Sequence, residues 1–207
     1  MSGIRSAWWV AGALLLAGCV STPSTVAVRQ YTLGPANVTI APAHAPTAAT
    51  RGVLRMARIE TPDWLAGTAM HYRLAYQRDH QLAAYALSAW AAPPASLLAP
   101  LLQRAVRADG AWQAVIGPGD TAAAAATVHV RLNAFGQVFA AATDSAGVVD
   151  ADATLVDDRT HRVVAQHHFH VEVPAAAADA PAGVQALTQA SQKLATQLAA
   201  WLRTAPR

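Results

Sequence analysis

Alternating apolar and polar positions predict β-strands along most of the chain after residue 50. Each predicted strand is a run of alternating or β-branched sequence bounded by turn-forming residues. The predicted strands cover residues 52–59, 70–76, 82–90, 112–116, 127–139, 150–156 and 161–173. Short polar turns separate 70–76 from 82–90 and 150–156 from 161–173, which predicts two hairpins. Residues 143–147 are predicted to form a loop.

Two stretches carry apolar residues at the three- and four-residue spacing of a helix face. The first begins at Pro93-Pro94, ends near residue 108, and has the face Leu97, Leu98, Leu101, Leu102 and Val106. The second follows an alanine-rich linker at 174–183 and has the face Val184, Leu187, Ser191, Leu194, Leu198 and Trp201. This order predicts the α+β class: a mostly antiparallel or mixed β-sheet with two helices packed on it, in a single domain. The crossover from Trp90 to Trp112 through the first helix would allow parallel pairing.

The composition agrees with one folded domain. The chain has 207 residues, of which 54% are hydrophobic and 13% are charged. This charged fraction is about half the usual ~25%, which argues against a disordered, highly charged chain. Basic residues are scattered, so no nucleic-acid partner is expected. The only stretch apolar enough to enter a membrane lies at the N-terminus, which excludes a polytopic membrane protein.

The first 18 residues have the pattern of an export signal. Arg5 supplies a positive charge, residues 8–17 are apolar, and Leu16-Ala17-Gly18-Cys19 resembles a bacterial lipobox. Cys19 is the only cysteine in the chain. The alternatives are an ordinary signal peptide with an incidental cysteine and a plain N-terminal anchor. The resemblance implies cleavage before Cys19 and lipidation of its thiol, by acyl chains such as palmitate that bind the membrane stably.

The lipobox divides the chain into a signal peptide at 1–18, an acylated N-terminus with a flexible tether at 19–50, and the folded domain at 51–207. The tether is rich in Pro, Thr, Ala and Ser, and only Arg29–Leu33 has a sequence able to pair at a sheet edge. Val20 and Ser21 follow the cysteine in place of the acidic residue that retains lipoproteins in the inner membrane. This implies a lipid anchor in the outer membrane, with the protein on the periplasmic face.

One histidine cluster has the residue types of a metal site. In the segment His167-His168-Phe169-His170, strand alternation puts His168 and His170 on one face together with Glu172. A metal-binding or enzymatic lipoprotein that uses His167–His170 is therefore the alternative function. A solvated strand face explains the same pattern and is favoured.

Motifs for common catalytic chemistry are absent from the sequence. The chain has no Gly-x-Ser-x-Gly motif and no glycine-rich phosphate loop. Its single cysteine is assigned to the lipid, so no cofactor is expected beyond the covalent lipid on Cys19. A non-enzymatic role is favoured, although catalytic residues scattered along the sequence stay open.

Aromatic residues are concentrated between positions 64 and 112. Core and cross-strand packing explains most of them, and an exposed patch for a protein partner or an acyl chain is the alternative. The candidate partner-binding residues are Trp64, Tyr72, Tyr76 and Trp90.

Several of these segments together resemble one family. The lipobox, Tyr31-Thr32-Leu33, the stretch 61–72, and Ser88-Ala89-Trp90-Ala91-Ala92-Pro93 before a helix are similar to the ABC-type transport auxiliary lipoproteins, which include the PqiC/YmbA-like intermembrane-transport lipoproteins. Many members have Arg where Ala89 stands. The resemblance implies a non-enzymatic partner of an MCE-domain protein and its ABC permease and ATPase, which move lipid or other hydrophobic molecules between the membranes. A homo-oligomer is a further expectation.

Overall fold

The computed structural model describes residues 27–34, 51–78 and 80–206, which form eight strands, two α-helices and one short 3-10 helix. In chain order these elements are β1 (Arg29–Tyr31), β2 (Arg51–Met56), the 3-10 helix (Asp63–Leu65), β3 (Ala69–Leu74), β4 (Leu82–Trp90), α1 (Pro94–Asp109), β5 (Trp112–Ile116), β6 (Ala126–Ala141), β7 (Asp144–Asp157), β8 (Arg162–Pro174) and α2 (Ala180–Thr204). Cys19, the predicted site of lipidation, lies outside the described residues, and so does most of the predicted tether.

The long strand β6 organises the sheet. One edge of β6 pairs antiparallel with β7 along most of its length, and β7 pairs antiparallel with β8. The other edge is shared, because β2 pairs parallel with the start of β6 at 126–128 and β3 pairs parallel with its end at 137–139. Beyond these, β5 pairs parallel with β2, β4 pairs antiparallel with β3, and β1 pairs parallel with β4. The sheet is therefore mixed, which confirms the predicted α+β class.

Both helices pack on one face of this sheet. Helix α2 lies across β7 and β8, and α1 packs against α2 and β5. The buried face of α2 includes Leu187, Leu194 and Leu198, interspersed with alanines that let the helix approach closely. At Gly147 a Cβ atom would lie 2.6 Å from the backbone nitrogen of Leu187, so only glycine fits beneath the helix there. Neither helix, nor any other within the described ranges, is long and apolar enough to cross a membrane.

The helix ends follow local chemistry that the sequence carries. Pro94 occupies the first turn of α1, where its missing N–H costs no hydrogen bond, and Gly110 ends the helix in the left-handed conformation at φ 75°. Asp179 caps α2 by accepting a hydrogen bond from the Ala182 N–H at 2.8 Å. Because α2 begins at Ala180, the predicted linker at 174–183 is shorter than expected.

One other local prediction is wrong. The predicted loop at 143–147 belongs mostly to β7, which begins at Asp144 after a tight turn. Its glycine and alanine content reflects the close approach of α2 at Gly147 rather than a loop. The parallel pair that the crossover through α1 would allow does not form between β4 and β5, since β5 pairs in parallel with β2 instead. The expectation of pairing near residue 30 is confirmed, because β1 forms the sheet edge beside β4 and Leu33 joins the core.

Candidate functional site

An open apolar groove of about 420 Å³ lies on the sheet face opposite the helices. Residues directly opposite in an antiparallel pair share a face, so Gly136 and Val148 point the same way. Their neighbour Gly147 points at α2, which places Gly136 and Val148 on the other face. The groove runs between the β3–β4 hairpin and the β6–β7 pair, and its lining includes Trp64, His71, Leu82, Ala134, Val138 and Val148.

The floor of the groove is formed by small residues of β6. At Gly136 a Cβ atom would lie 2.9 Å from the carbonyl oxygen of His71, at the point where β3 begins to pair with β6. Ala134 precedes it on the same face. The groove therefore exists because β6 carries almost no side-chain volume at the point where the two strands come together.

Trp64 forms an exposed wall of the groove and is held by His71. The His71 Nε2 lies 3.0 Å from the carbonyl oxygen of Trp64, and the two rings meet edge to face at 5.5 Å. Since a carbonyl only accepts, Nε2 carries the proton, which leaves the buried Nδ1 of His71 as an acceptor without a partner. Trp64 is 43% exposed and Leu82 is 45% exposed, so the apolar rim faces solvent.

The four aromatic residues predicted to contact a partner occupy different environments in the structure. Trp64 lines the groove, and Tyr76 is exposed in the turn after β3. Tyr72 also lines the groove but is partly buried, with its ring centroid 4.8 Å from that of Tyr85. Trp90 is only 1% exposed and packs edge to face on Phe135 at 5.3 Å. The assignment of Trp90 to a partner surface is therefore corrected, because core packing accounts for its ring.

Sequence analysis missed the aliphatic half of the groove. This half is lined by Leu82, Val138 and Val148, and none of them is among the predicted aromatic contact residues. The available signal was the run Ala134, Gly136, Val138, in which small apolar residues alternate on the strand face opposite Phe135. That pattern was interpreted only as evidence for a strand.

Beneath the groove, on the helix side of β6, Gln137 is fully buried in a polar network. The Tyr85 hydroxyl donates to the Gln137 Oε1 at 2.9 Å, and the Gln137 Nε2 donates to the Ser145 Oγ at 2.8 Å. Burial raises the pKa of Tyr85 to about 12, with smaller contributions from Tyr72 and Asp179. The network joins β4, β6 and β7 and so fixes the strands that frame the groove.

Two histidines of β8, His168 and His170, belong to a second polar cluster, on the groove side of the sheet. His168 Nδ1 lies 2.9 Å from Asp152 Oδ1, and His170 Nδ1 lies 3.1 Å from Asp150 Oδ2. The Asn133 amide donates to both carboxylates, at 3.1 Å to Asp150 and 2.7 Å to Asp152. His168 and His170 therefore share a face, as the strand alternation predicts.

The hydrogen bonds of this cluster shift the pKa values of two of its residues in opposite directions. The Asn133 amide, followed by His168, lowers the pKa of Asp152 below its ordinary 3.8. The hydrogen bond to Asp152, followed by the charge of Asp150, raises the pKa of His168 above 6.5. His167 lies apart from them, with its ring 6.0 Å from that of Trp201 on α2. Among residues 27–34, 51–78 and 80–206, no group of three or more His, Cys, Asp or Glu is arranged to hold a metal ion.

The fold and the groove define a class of protein: an α+β domain with two helices on one face of a mixed sheet and an apolar groove on the other. A family model described as the ABC-type transport auxiliary lipoprotein component matches residues 31–199. The chain belongs to this family, and the resemblance found in the sequence is confirmed. Among curated proteins, no sequence matches this chain.

Solved structures share the fold. The protein XCC0632 from Xanthomonas campestris is 22% identical, with a TM-score of 0.66 over 78% of this chain and 91% of that chain. An uncharacterized protein of solved structure is 17% identical, with a TM-score of 0.59 over 74% of this chain and 99% of that chain. Because both identities are below one quarter, these two structures show the similarity of fold alone.

Proposed function

We propose that this protein is a non-enzymatic accessory subunit of an MCE/ABC-type system that moves lipid or other hydrophobic molecules between the inner and outer membranes. It is anchored by the lipid on Cys19 to the outer membrane, on the periplasmic face, and docks the MCE component. Family membership supports the role in ABC-type transport. The observation that carries the docking role is the open apolar groove beside Trp64.

The groove has the character of a protein-docking surface. Exposed apolar surface is costly to leave in water, and contiguous patches of it commonly mark interaction sites. A tryptophan at the rim is the residue type that most often dominates interface energetics. The Trp64 backbone is held by His71, so this wall is formed before a partner arrives. Its fitting occupant is an apolar segment at the periplasmic end of the MCE protein.

The sequence supports this division of labour within the transport system. The chain lacks a glycine-rich phosphate loop, which agrees with ATP hydrolysis by a separate ATPase subunit. The lipobox supplies the anchor, and Val20 with Ser21 supports the outer membrane as its destination. The segment between Cys19 and the folded domain sets the distance over which the groove can reach its partner.

Affinity capture of the full-length lipoprotein from gently solubilised membranes, followed by mass spectrometry, tests this function. We expect recovery of an MCE-domain protein with its permease and ATPase. A Cys19→Ala variant controls for anchoring. Absence of every transport component, under conditions that keep envelope complexes intact, would overturn the proposal. Native mass spectrometry of the eluate measures the number of copies in the complex, because assembly into a homo-oligomer stays a prediction.

A matched pair of substitutions tests the groove separately. Leu82 and Leu87 both lie on β4 and are 45% and 52% exposed, but only Leu82 lines the groove. Leu82→Glu should reduce recovery of the MCE protein, since it places a charge in the apolar groove, and Leu87→Glu should leave recovery unchanged. Trp64→Ala should act like Leu82→Glu. Equal recovery with both leucine variants would remove the groove from the proposal and leave the accessory role standing.

A further inference from the structure

The exposed large hydrophobic side chains of the described residues are concentrated on β1, β3 and β4 and the segments next to them. Six residues fall in this class: Val28, Trp64, Tyr76, Leu82, Leu87 and Val163. All except Val163 lie in that part of the sheet. Trp64 and Leu82 belong to the groove, which leaves Val28, Tyr76 and Leu87 without an assigned role.

The direction of β1 shows from which end of the sheet the N-terminal segment arrives. Strand β1 pairs parallel with β4, so Arg29 lies beside Ser88 and Tyr31 beside Trp90. Strand β4 starts at Leu82, immediately after the β3–β4 turn. The chain that precedes Val28 therefore enters from the end of the sheet that carries this turn. We call the described residues 75–78, 80 and 81 the hairpin tip.

The length of the N-terminal segment limits how far the hairpin tip can lie from the anchor. Eight residues lead from Cys19 to Ala27, which is about 27 Å when fully extended. In the register of β1 with β4, Ala27 lies at the level of Ala86, and the four residues from there back to Leu82 cover about 13 Å of the same direction. Full extension in the direction of β1 would therefore carry the acylated residue at most about 14 Å beyond the level of Leu82.

The side chains at this end suit a phospholipid surface. Tyr76 is 42% exposed, and an amphipathic ring of this kind is favoured at the level of lipid headgroups. Arg78, also exposed, can donate to lipid phosphate groups. In sequence this segment also includes Asp79 and His80, so its net charge is close to zero. Contact therefore depends on Tyr76 and on phosphate recognition rather than on overall charge.

Neighbouring segments at the same end present little charge to a membrane. Strand β6 runs parallel to β3, so the β6–β7 turn at Ala142-Thr143 lies at the hairpin end. The segment after β8 is Ala175–Ala178, which is alanine throughout. Asp144 and Asp179 are exposed acids at this end. Small uncharged segments can approach the headgroups at a lower desolvation cost than charged ones.

We propose that the hairpin tip is a membrane-contacting element, in which Tyr76 lies among phospholipid headgroups and Arg78 binds their phosphates. The inference rests on the proposed lipid anchor at Cys19. It gives the anchored domain a fixed orientation, with the hairpin end against the membrane and the start of β6 pointing away from it. The groove then opens to the side, where a partner spanning the periplasm can reach it.

A fluorescent label placed on the hairpin tip tests this orientation. Since the thiol of Cys19 is assigned to the lipid, Gln77→Cys provides one reactive thiol between Tyr76 and Arg78. The matched control is Thr121→Cys, an exposed position in the loop before β6, at the opposite end of the sheet. Each full-length protein is labelled with an environment-sensitive dye and reconstituted into vesicles of phosphatidylethanolamine and phosphatidylglycerol that carry a lipid-borne quencher.

We expect the Gln77 label to emit at shorter wavelength and to be quenched, while the Thr121 label does neither. Adding Tyr76→Ser should reduce the quenching at Gln77. Intact mass of the same preparations reports acylation of Cys19. If Cys19 is acylated and the two labels respond equally, or neither responds, the inference is overturned while the anchor stands. If Cys19 carries no acyl chain, the anchor and the inference fail together.

Discussion

The Arg51 guanidinium, at the first residue of β2, donates a hydrogen bond to the carbonyl oxygen of Ala205, the C-cap residue that follows α2. It also reaches the Pro206 carbonyl at 3.3 Å and lies 5.3 Å from the centre of the Trp112 ring. Carbonyls at a helix C-terminus lack partners within the helix and carry partial negative charge, so a cation is well placed there. Arg51 thereby joins the end of the last helix to the start of the sheet.

Replacing Arg51 should destabilise the fold through the end of α2. Arg51→Gln removes the charged donor and the contact with the Trp112 ring, and we expect a loss of about 1–2 kcal/mol in the free energy of unfolding. Urea denaturation measures it. Arg162→Gln is the matched control, because Arg162 is the exposed first residue of another strand. Equal effects of the two variants would show that the contact with Ala205 contributes nothing specific.

Gly183 should not tolerate alanine, although it lies inside a helix. A Cβ atom on Gly183 would overlap the Gln137 Oε1, which is fixed by the Tyr85 hydroxyl. Glycine to alanine within a helix ordinarily gains about 1 kcal/mol, whereas forced overlap in a packed core costs about 1–3 kcal/mol. We therefore expect Gly183→Ala to lower the urea midpoint.

The background variant Gln137→Ala provides the control for this clash. With the Gln137 side chain removed, Gly183→Ala should cost much less than in the unaltered protein, and the four urea midpoints form a double-mutant cycle. The same cost in both backgrounds would contradict the proposed origin of the effect.

Tyr85 should stabilise the fold through its hydroxyl group. Tyr85→Phe leaves the buried Gln137 Oε1 without this donor, which should cost about 1–3 kcal/mol in the free energy of unfolding. Tyr76→Phe removes an exposed hydroxyl instead and should change little. Ultraviolet titration of the unaltered protein should show one tyrosine that ionises near pH 12, and this step should be missing in Tyr85→Phe. Its persistence would mean that another tyrosine is the buried one.

The sequence predicts the elements of this fold well because their signals are local. The leucine spacing of α1, the polar turn between β3 and β4, and the alternation along β6 and β8 depend on neighbours within a few residues. The order of strands in the sheet depends on distant pairings. That β2 and β3 share one edge of β6 follows from contacts that no local pattern encodes.

The candidate site was predictable only in part for the same reason. Trp64 was found because an aromatic residue in a loop-rich segment stands out. Trp90 was misassigned because a cluster of aromatic residues in the sequence does not show which rings face the core, and Trp90 packs on Phe135 of the distant strand β6. Gly136 was overlooked because its role depends on the approach of His71 from another strand.

The His168–Asp152 pair should make the stability of the sheet depend on pH. The folded-state pKa of His168 is raised above 6.5, so its contribution is fully present below pH 6.5 and is lost as pH rises through the raised value. The folded-state pKa of Asp152 is lowered below 3.8, so its contribution is present above pH 3.8 and is lost as pH falls through the lowered value. Both contributions are therefore fully present between pH 3.8 and pH 6.5, where the pair stabilises the fold most.

Thermal unfolding of His168→Gln at two pH values measures this effect. The variant should unfold at lower temperature than the unaltered protein near pH 5.5, and the difference should shrink as the pH rises through the raised pKa of His168. His129→Gln is the matched control, because His129 lies on the same sheet face opposite Thr154 rather than opposite a carboxylate. It should show no such pH-dependent difference. A difference for His168→Gln that stays constant across this range would show that the ion pair with Asp152 does not contribute to stability.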